Sequence, residues 1–267
     1  MDAEHGGGRA TGLRRASALA FAVMLASCGG SSANAPSSPT PAVSNPTAGN
    51  PTAVSQHTLQ FQGVEYQYFV WSPAPCGNRA CPALLLAHGS GGSGTDLIGV
   101  WKDFASQNGI VLVGPTLALG SSQQTAAIET RVPQLFPALV EDSKKWARID
   151  SHRVYLFGYS AGGYTVFDAA TLASTYFAAG AVFAAVVTPD YDWIVQGAQR
   201  KTAIALYLGD HDQFFSLEQG RRTRDLLASN GFPIHYVELL NQDHNLATAA
   251  AFIERDAWAY MEPYSTP

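Results

Sequence analysis

Residues 154–170 read VYLFGYSAGGYTVFDAA. Strand-forming residues run to Phe157, a turn follows through Gly158, Tyr159, Ser160 and Ala161, and two more glycines, Gly162 and Gly163, open an alanine-rich run that predicts a helix. A strand that turns sharply into a helix brings two backbones close together. The spacing Gly-x-Ser-x-Gly clears side chains from that crossing and leaves Ser160 on the strained corner. The corner lifts the Ser160 hydroxyl beyond the sheet edge and turns the Ala161 N–H to where charge would develop on a reacting oxygen. The five-residue pattern alone arises by accident in roughly one chain in ten of this size at average glycine and serine usage. Its place between an apolar strand and a helix removes most such accidents.

Outward from this stretch, 267 residues are enough for one large α/β domain or two small ones, and 46% hydrophobic content supports a full core. A formal net charge of -5, with no basic cluster beyond pairs such as Arg221 and Arg222, argues against nucleic acid as a partner. At the amino terminus, Arg14 and Arg15 precede an uncharged run over 16–26, long enough for a signal-peptide core and too short to span a bilayer. The run ends in LASC, which resembles a bacterial lipobox. That resemblance implies cleavage before Cys28, a lipid on its thiol, and an exported, membrane-anchored lipoprotein with 1–27 as its leader. Residues 28–55 hold mostly Gly, Ser, Ala, Asn, Pro and Thr and predict a disordered tether. Three cysteines are present; with Cys28 lipidated, Cys76 and Cys81 remain as the pair able to form a small disulfide in an oxidising compartment. Two cysteines near a single histidine, His88, do not make a zinc cage, so no metal and no cofactor are expected.

Residues 56–267 then predict a single folded domain. Stretches 57–62 and 64–71 alternate apolar and polar residues around Gly63, as an antiparallel hairpin does. ALLLAH, 83–88, is a continuous apolar run of the length of a strand buried on both faces. Beyond it, helices are predicted over 96–108, 133–149, 161–173, 217–230 and 248–261. Strands are predicted over 110–114, 153–158, 181–187, 202–208 and 234–240. An antiparallel start followed by repeated β-α units implies an α/β fold with a mainly parallel sheet, helices on both faces and, from the short stretch between 187 and 202, no large lid.

An activated serine needs a base, and the base needs an acid to orient it. In open α/β sheets such residues lie beyond the carboxyl ends of strands. GDHDQFF, 209–215, offers Asp210 and Asp212 after one predicted strand, and NQDHN, 241–245, offers Asp243 and His244 after the last. HGSGG, 88–92, lets backbone N–H groups, chiefly that of Ser90, complete an oxyanion site with Ala161. Two rival readings of the glycines fail. GSGGSG, 89–94, lacks the acidic residue about 20 positions on that a dinucleotide site needs, and Thr95 stands where a phosphate loop has lysine. His88 is read as a brace for its loop, His211 as a surface residue, and His152 and His235 as incidental.

From residue 57 onward the sequence resembles an α/β-hydrolase of the secreted esterase group that includes polyhydroxybutyrate-depolymerase-like and feruloyl-esterase-like proteins. The likeness rests on HGSGG, RVYLFGYSAGG at 153–163, the Gly209-to-Asp212 step and a histidine after the final strand. It implies the α/β-hydrolase fold, Ser160 as nucleophile, Asp212 as acid, His244 as base, and carboxylic esters with short acyl, aryl or polymeric groups as substrates. The QDHN context of His244 departs from the glycine-rich, tryptophan-containing segment common in that group. A serine peptidase on the same fold is the alternative, against which no acidic pair is visible that would hold a substrate amine. A non-catalytic binding lipoprotein is the third reading, and every member of the expected triad being present argues against it. Among Trp101, Tyr159, Trp193, Phe214 and Phe215, Tyr159 is the aromatic whose position beside the nucleophile favours a place in the substrate cleft.

Overall fold

A computed structural model describes residues 53–267. The expected leader over 1–27, lipidation at Cys28 and most of the tether lie outside the described residues.

Strands β1 (Ser55–Phe61) and β2 (Val64–Trp71) form an antiparallel hairpin with Phe61 opposite Val64. Gln62 and Gly63 close it at φ 49° and 76°, the left-handed pair whose twist matches that of the flanking strands. Next come β3 (Cys81–Ala87), helix α1 (Gly94–Asn108), β4 (Val111–Pro115), α2 (Ser122–Glu129) and α3 (Val132–Ser143). The second half holds β5 (Ile149–Tyr159), α4 (Ala161–Leu172), β6 (Ala179–Phe183) and the short α5 (Asp192–Gln196). It closes with β7 (Ala203–Gly209), α6 (Leu217–Ser229), β8 (Ile234–Leu239) and α7 (Leu246–Met261).

The eight strands form one sheet in the order β1-β2-β4-β3-β5-β6-β7-β8. Pairing is antiparallel as far as β2–β4 and parallel from there on. All seven residues of β3 are buried, because successive side chains supply two cores. Ala83, Leu85 and Ala87 join the layer filled by Leu135, Phe136 and Leu139 of α3, Val166 and Phe167 of α4 and Leu227 of α6. Leu84 and Leu86 join the layer filled by Leu97, Ile98 and Trp101 of α1 and Ile253 and Trp258 of α7. The unbroken apolar run ALLLA is thus the mark of a strand with helices on both sides.

Three differences from the sequence expectations have local causes. The helix expected over 133–149 ends at Ser143: residues 144–147 coil into turns closed by Lys145 N–H on Asp142 O and Ala147 N–H on Ser143 O. Trp146 there leaves helical register to stack on His57 at 4.0 Å and to donate to the Tyr68 hydroxyl. Ile149 is then free to pair with Cys81, so β5 begins four residues before the expected 153. The strand expected over 181–187 ends at Phe183, where Ala184 turns to φ 56°, and Val187 N–H goes to Thr223 Oγ1 rather than to a strand. Helices α2 and α5 were not foreseen.

Cys76, in a 3-10 turn at Ala74–Gly77, and Cys81 are joined by a disulfide with a Cα–Cα distance of 5.6 Å. So short a loop is worth about 2 kcal/mol through lost entropy of the unfolded chain.

Candidate active site

The sharp turn after β5 is made by Ser160 at φ 52°, ψ -122°, a conformation that non-glycine residues adopt only when their surroundings impose it. The surroundings are close packing on both sides. A Cβ on Gly162 would lie 2.0 Å from the Ala87 carbonyl oxygen, and one on Gly158 would lie 2.5 Å from the Gly162 oxygen. Both glycines of the Gly-x-Ser-x-Gly spacing are therefore required by the crossing of β3, β5 and α4. Gly163 is required as well, since a Cβ there would meet the Ala185 Cβ at 2.5 Å.

Beyond the carboxyl ends of the strands, the three residues expected to act together are in contact. His244, on the loop after β8, has Nε2 2.8 Å from Ser160 Oγ and Nδ1 2.8 Å from Asp212 Oδ2. An ionised carboxylate only accepts, so Nδ1 carries the proton and Nε2 is left to accept from the Ser160 hydroxyl. The Asp212 side chain is fully buried, and its other oxygen accepts from the N–H groups of Phe214 and Phe215 at 2.8 and 3.0 Å. Asp210 instead accepts from Gln242 N–H, tying the two loops together, while Asp243 accepts from Asn245 N–H. Neither makes a bond to the imidazole.

Ser90 stands in the turn 89–92, closed by Gly92 N–H on Gly89 O at 3.1 Å. A Cβ on Gly89 would lie 3.1 Å from the Tyr159 ring and 3.4 Å from Ser160 Cβ, so this loop runs directly against the serine. Ala161, on the other side, is the first residue of α4, where backbone N–H groups lack partners within the helix. His88 is buried and uses both ring nitrogens. Nδ1 donates to Gly89 O at 2.7 Å, and Nε2 accepts from Leu117 N–H at 2.9 Å. Burial holds its pKa below the usual histidine value, in keeping with a neutral brace between the loops after β3 and β4. His211 is exposed. His235, expected to be incidental, bonds Asp256 of α7 at 2.7 Å and has a structural part.

Aromatic rings surround the imidazole. The ring of Tyr159 lies 5.4 Å from it and its hydroxyl donates to His244 O; Phe214 and Phe215 lie at 4.7 and 5.9 Å. Phe214 is 70% exposed, which makes it an open apolar rim beside the serine. Trp101 is core, packed on Phe157.

One feature of this end of the sheet was not seen in the sequence. Glu129, the last residue of α2, and Asp168 of α4 line one pocket together with Tyr164, Phe167, Thr188 and Tyr191. Tyr164 in turn packs against Phe215. Burial first, then the charge of Glu129, push Asp168 up to about 8, and burial raises Glu129 as well, opposed by the hydrogen bond from the Tyr191 hydroxyl. A carboxyl raised in this way contributes stability that is present below its unfolded value near 4 and is lost as pH rises through 8. Asp168→Asn, uncharged at every pH, should therefore gain thermal stability relative to the parent between pH 5 and pH 9. Equal differences in melting temperature at both pH values would show that Asp168 titrates normally.

No protein-family model matches the sequence, and a search of curated proteins found no match. Solved structures do resemble the fold. A thermostable esterase is 18% identical, with a TM-score of 0.60 over 79% of this chain and 63% of its own. An S-formylglutathione hydrolase from Agrobacterium tumefaciens is 19% identical, with a TM-score of 0.60 over 78% of this chain and 94% of its own. The fold is the α/β-hydrolase fold. Porphyromonas gingivalis dipeptidyl peptidase 4 shares it at 16% identity and a TM-score of 0.60, over 78% of this chain and 36% of that longer one. At these identities the likeness shows the fold alone, and what the chain does must be argued from its own side chains.

Proposed function

We propose that this chain is a serine esterase that cleaves carboxylic esters through an acyl-enzyme. The observation that carries the reading is the continuous hydrogen-bonded series from the Ser160 hydroxyl through both nitrogens of His244 to the buried Asp212 carboxylate. His244 takes the Ser160 proton as Oγ attacks the ester carbonyl, and the N–H groups of Ala161 and Ser90 hold the oxyanion. The alcohol leaves with the proton from His244. Water then enters and gives a proton to the same nitrogen as its oxygen attacks the acyl carbon, and the acid is released as that proton passes to the departing Ser160 Oγ. Asp212 keeps the imidazole in the one tautomer able to do this.

Esters of short acyl, aryl or polymeric groups rank above long-chain lipids because the cleft is open. The connection between β6 and β7 holds a 3-10 turn and the short α5, with Trp193 57% exposed, so short acyl, aryl or polymer-borne esters reach the serine without a large lid. Cys28 carries the lipid in this reading and anchors the enzyme at a bacterial membrane, exported to its outer or periplasmic side.

The reading is tested by a fluorophosphonate probe together with p-nitrophenyl esters of increasing acyl length. Expected are a stoichiometric label on Ser160 and turnover greatest for the shorter acyl groups. Absence of label and turnover would leave a binding protein, and faster cleavage of a matched anilide than of the ester would leave a peptidase.

A further inference from the structure

His244 lies between β8 and α7, on a stretch that belongs to neither. Asp212 holds its ring at Nδ1, 2.8 Å away. A histidine side chain turns about two bonds, the second of them soft, so a ring tethered at one nitrogen can pivot and carry Nε2 away from Ser160 unless its main chain is fixed as well. The Tyr159 hydroxyl provides that fixation by donating to the His244 carbonyl oxygen at 2.8 Å. Ester hydrolysis itself makes no use of a phenol at this place: the proton moves between Ser160 and His244, and the oxyanion meets N–H groups.

Tyr159 is itself held in place. It is the last residue of β5, paired with Phe183 of β6, and it precedes Ser160 directly. Its ring stacks on that of Phe183, with centroids 5.8 Å apart and planes within 16°. The Gly89 backbone lies so near that a Cβ there would stand 3.1 Å from two carbons of the Tyr159 ring. Gly89 leads into Ser90, whose N–H is the proposed oxyanion donor. Burial first, then the charges of Asp212 and Asp243, raise the pKa of the phenol, so it remains a donor at the pH where a neutral histidine acts as base.

We propose that Tyr159 is a positioning residue of the esterase: its hydroxyl fixes the main chain of His244 and its ring backs the Gly89 turn, so that base, nucleophile and oxyanion donor keep one relative placement. This role rests on the esterase reading above. Proton transfer requires the base within hydrogen-bond reach of the hydroxyl, and a displacement of about 1 Å costs about 10²-fold in rate. Tyr159→Phe removes the one bond and keeps the ring on Phe183 and Gly89, so it should lower kcat by about 10- to 100-fold. His244 serves acylation and deacylation alike, so both steps slow together and KM should stay within about threefold.

The test sets Tyr159→Phe beside Tyr155→Phe, with melting curves showing that both fold. Tyr155 stands four residues earlier on β5 and also donates to main-chain carbonyl oxygens, those of Glu262 and Tyr264 at 3.1 and 2.8 Å, while its ring packs on Trp258 of α7. It loses the same kind of bond away from the serine, so its kcat for p-nitrophenyl acetate should stay within about threefold of the parent. The second readout is the proton NMR resonance of His244 Nδ1–H on Asp212, assigned by its loss in His244→Ala. In Tyr159→Phe this resonance should broaden through faster exchange with water, and in Tyr155→Phe it should be unchanged. A kcat for Tyr159→Phe within about threefold of the parent, an equal fall in Tyr155→Phe, a loss confined to KM, or an unchanged resonance in Tyr159→Phe would each overturn the role of Tyr159. If the parent does not hydrolyse the ester, the esterase reading fails by itself, and the resonance alone decides whether Tyr159 holds His244.

Discussion

Ser160→Ala and His244→Ala should each lower kcat for a p-nitrophenyl ester by on the order of 10⁶, and the double variant should lose no more than either alone, as in other serine hydrolases whose nucleophile and base act as a unit. The physical reason lies in the single hydrogen bond that joins them. The Ser160 hydroxyl is a weak nucleophile until its proton has somewhere to go, and Nε2 at 2.8 Å is placed to accept it. Removing the imidazole leaves a hydroxyl that cannot be activated, and removing the hydroxyl leaves a base with nothing to activate. On the proposed mechanism, turnover that remains in either variant would come from the N–H groups of Ser90 and Ala161 and from binding. Fluorophosphonate labelling should vanish in both. Effects that multiply in the double variant would mean that the two residues act independently, and the proton relay proposed here would be wrong.

How much of this site was legible in the sequence depends on whether a residue's role is enforced by its neighbours in the chain. The elbow was legible because Gly158 and Gly162 are forced by contacts within the strand, turn and helix they belong to, and with Ala87 at the end of the apolar run ALLLA. The order Ser160, Asp212, His244 was legible because strand ends are readable and each donor follows one directly. The acidic pair was not. Glu129 belongs to SQQTAAIE, a helix with no apolar stripe, held at its start by Ser121 accepting from Gln124 N–H. Apart from that cap and its helix-forming residues the segment carries no stripe to say which face packs, and nothing in it says that its end meets α4. A signal did exist on the other side: Asp168 is the one charged residue in AGGYTVFDAATL, a helix otherwise buried along most of its length, two turns past the nucleophile. The end of α3 at Ser143 was hidden for a related reason, since Trp146 is drawn out of register by His57 and Tyr68, far away in sequence. Phe214 was among the candidate cleft aromatics, but the sequence did not decide between rim and core, because its place depends on Asp212 turning that loop by accepting from the N–H groups of Phe214 and Phe215.

The same pair of bonds makes Asp212→Asn the more discriminating substitution, with an expected fall in kcat of about 10⁴, while Asp210→Asn should stay within about threefold of the parent. An asparagine at 212 is not free to choose its orientation. Its amide oxygen must face the N–H groups of Phe214 and Phe215, because an NH₂ there would set donor against donor. The NH₂ is then directed at His244 Nδ1, where the carboxylate oxygen had been, and it donates. Nδ1 becomes the acceptor, the ring proton moves to Nε2, and the nitrogen facing Ser160 can no longer take a proton. Geometry survives and the tautomer is wrong, so binding of a neutral inhibitor should change little while turnover collapses. At 210 no such reversal follows: the carboxylate accepts from Gln242 N–H, and an amide oxygen does the same without touching the imidazole. Steady-state kinetics on the two single variants separate the candidates. A collapse in Asp210→Asn with Asp212→Asn left active would transfer the acid's role to the other aspartate and break the relay at its buried end.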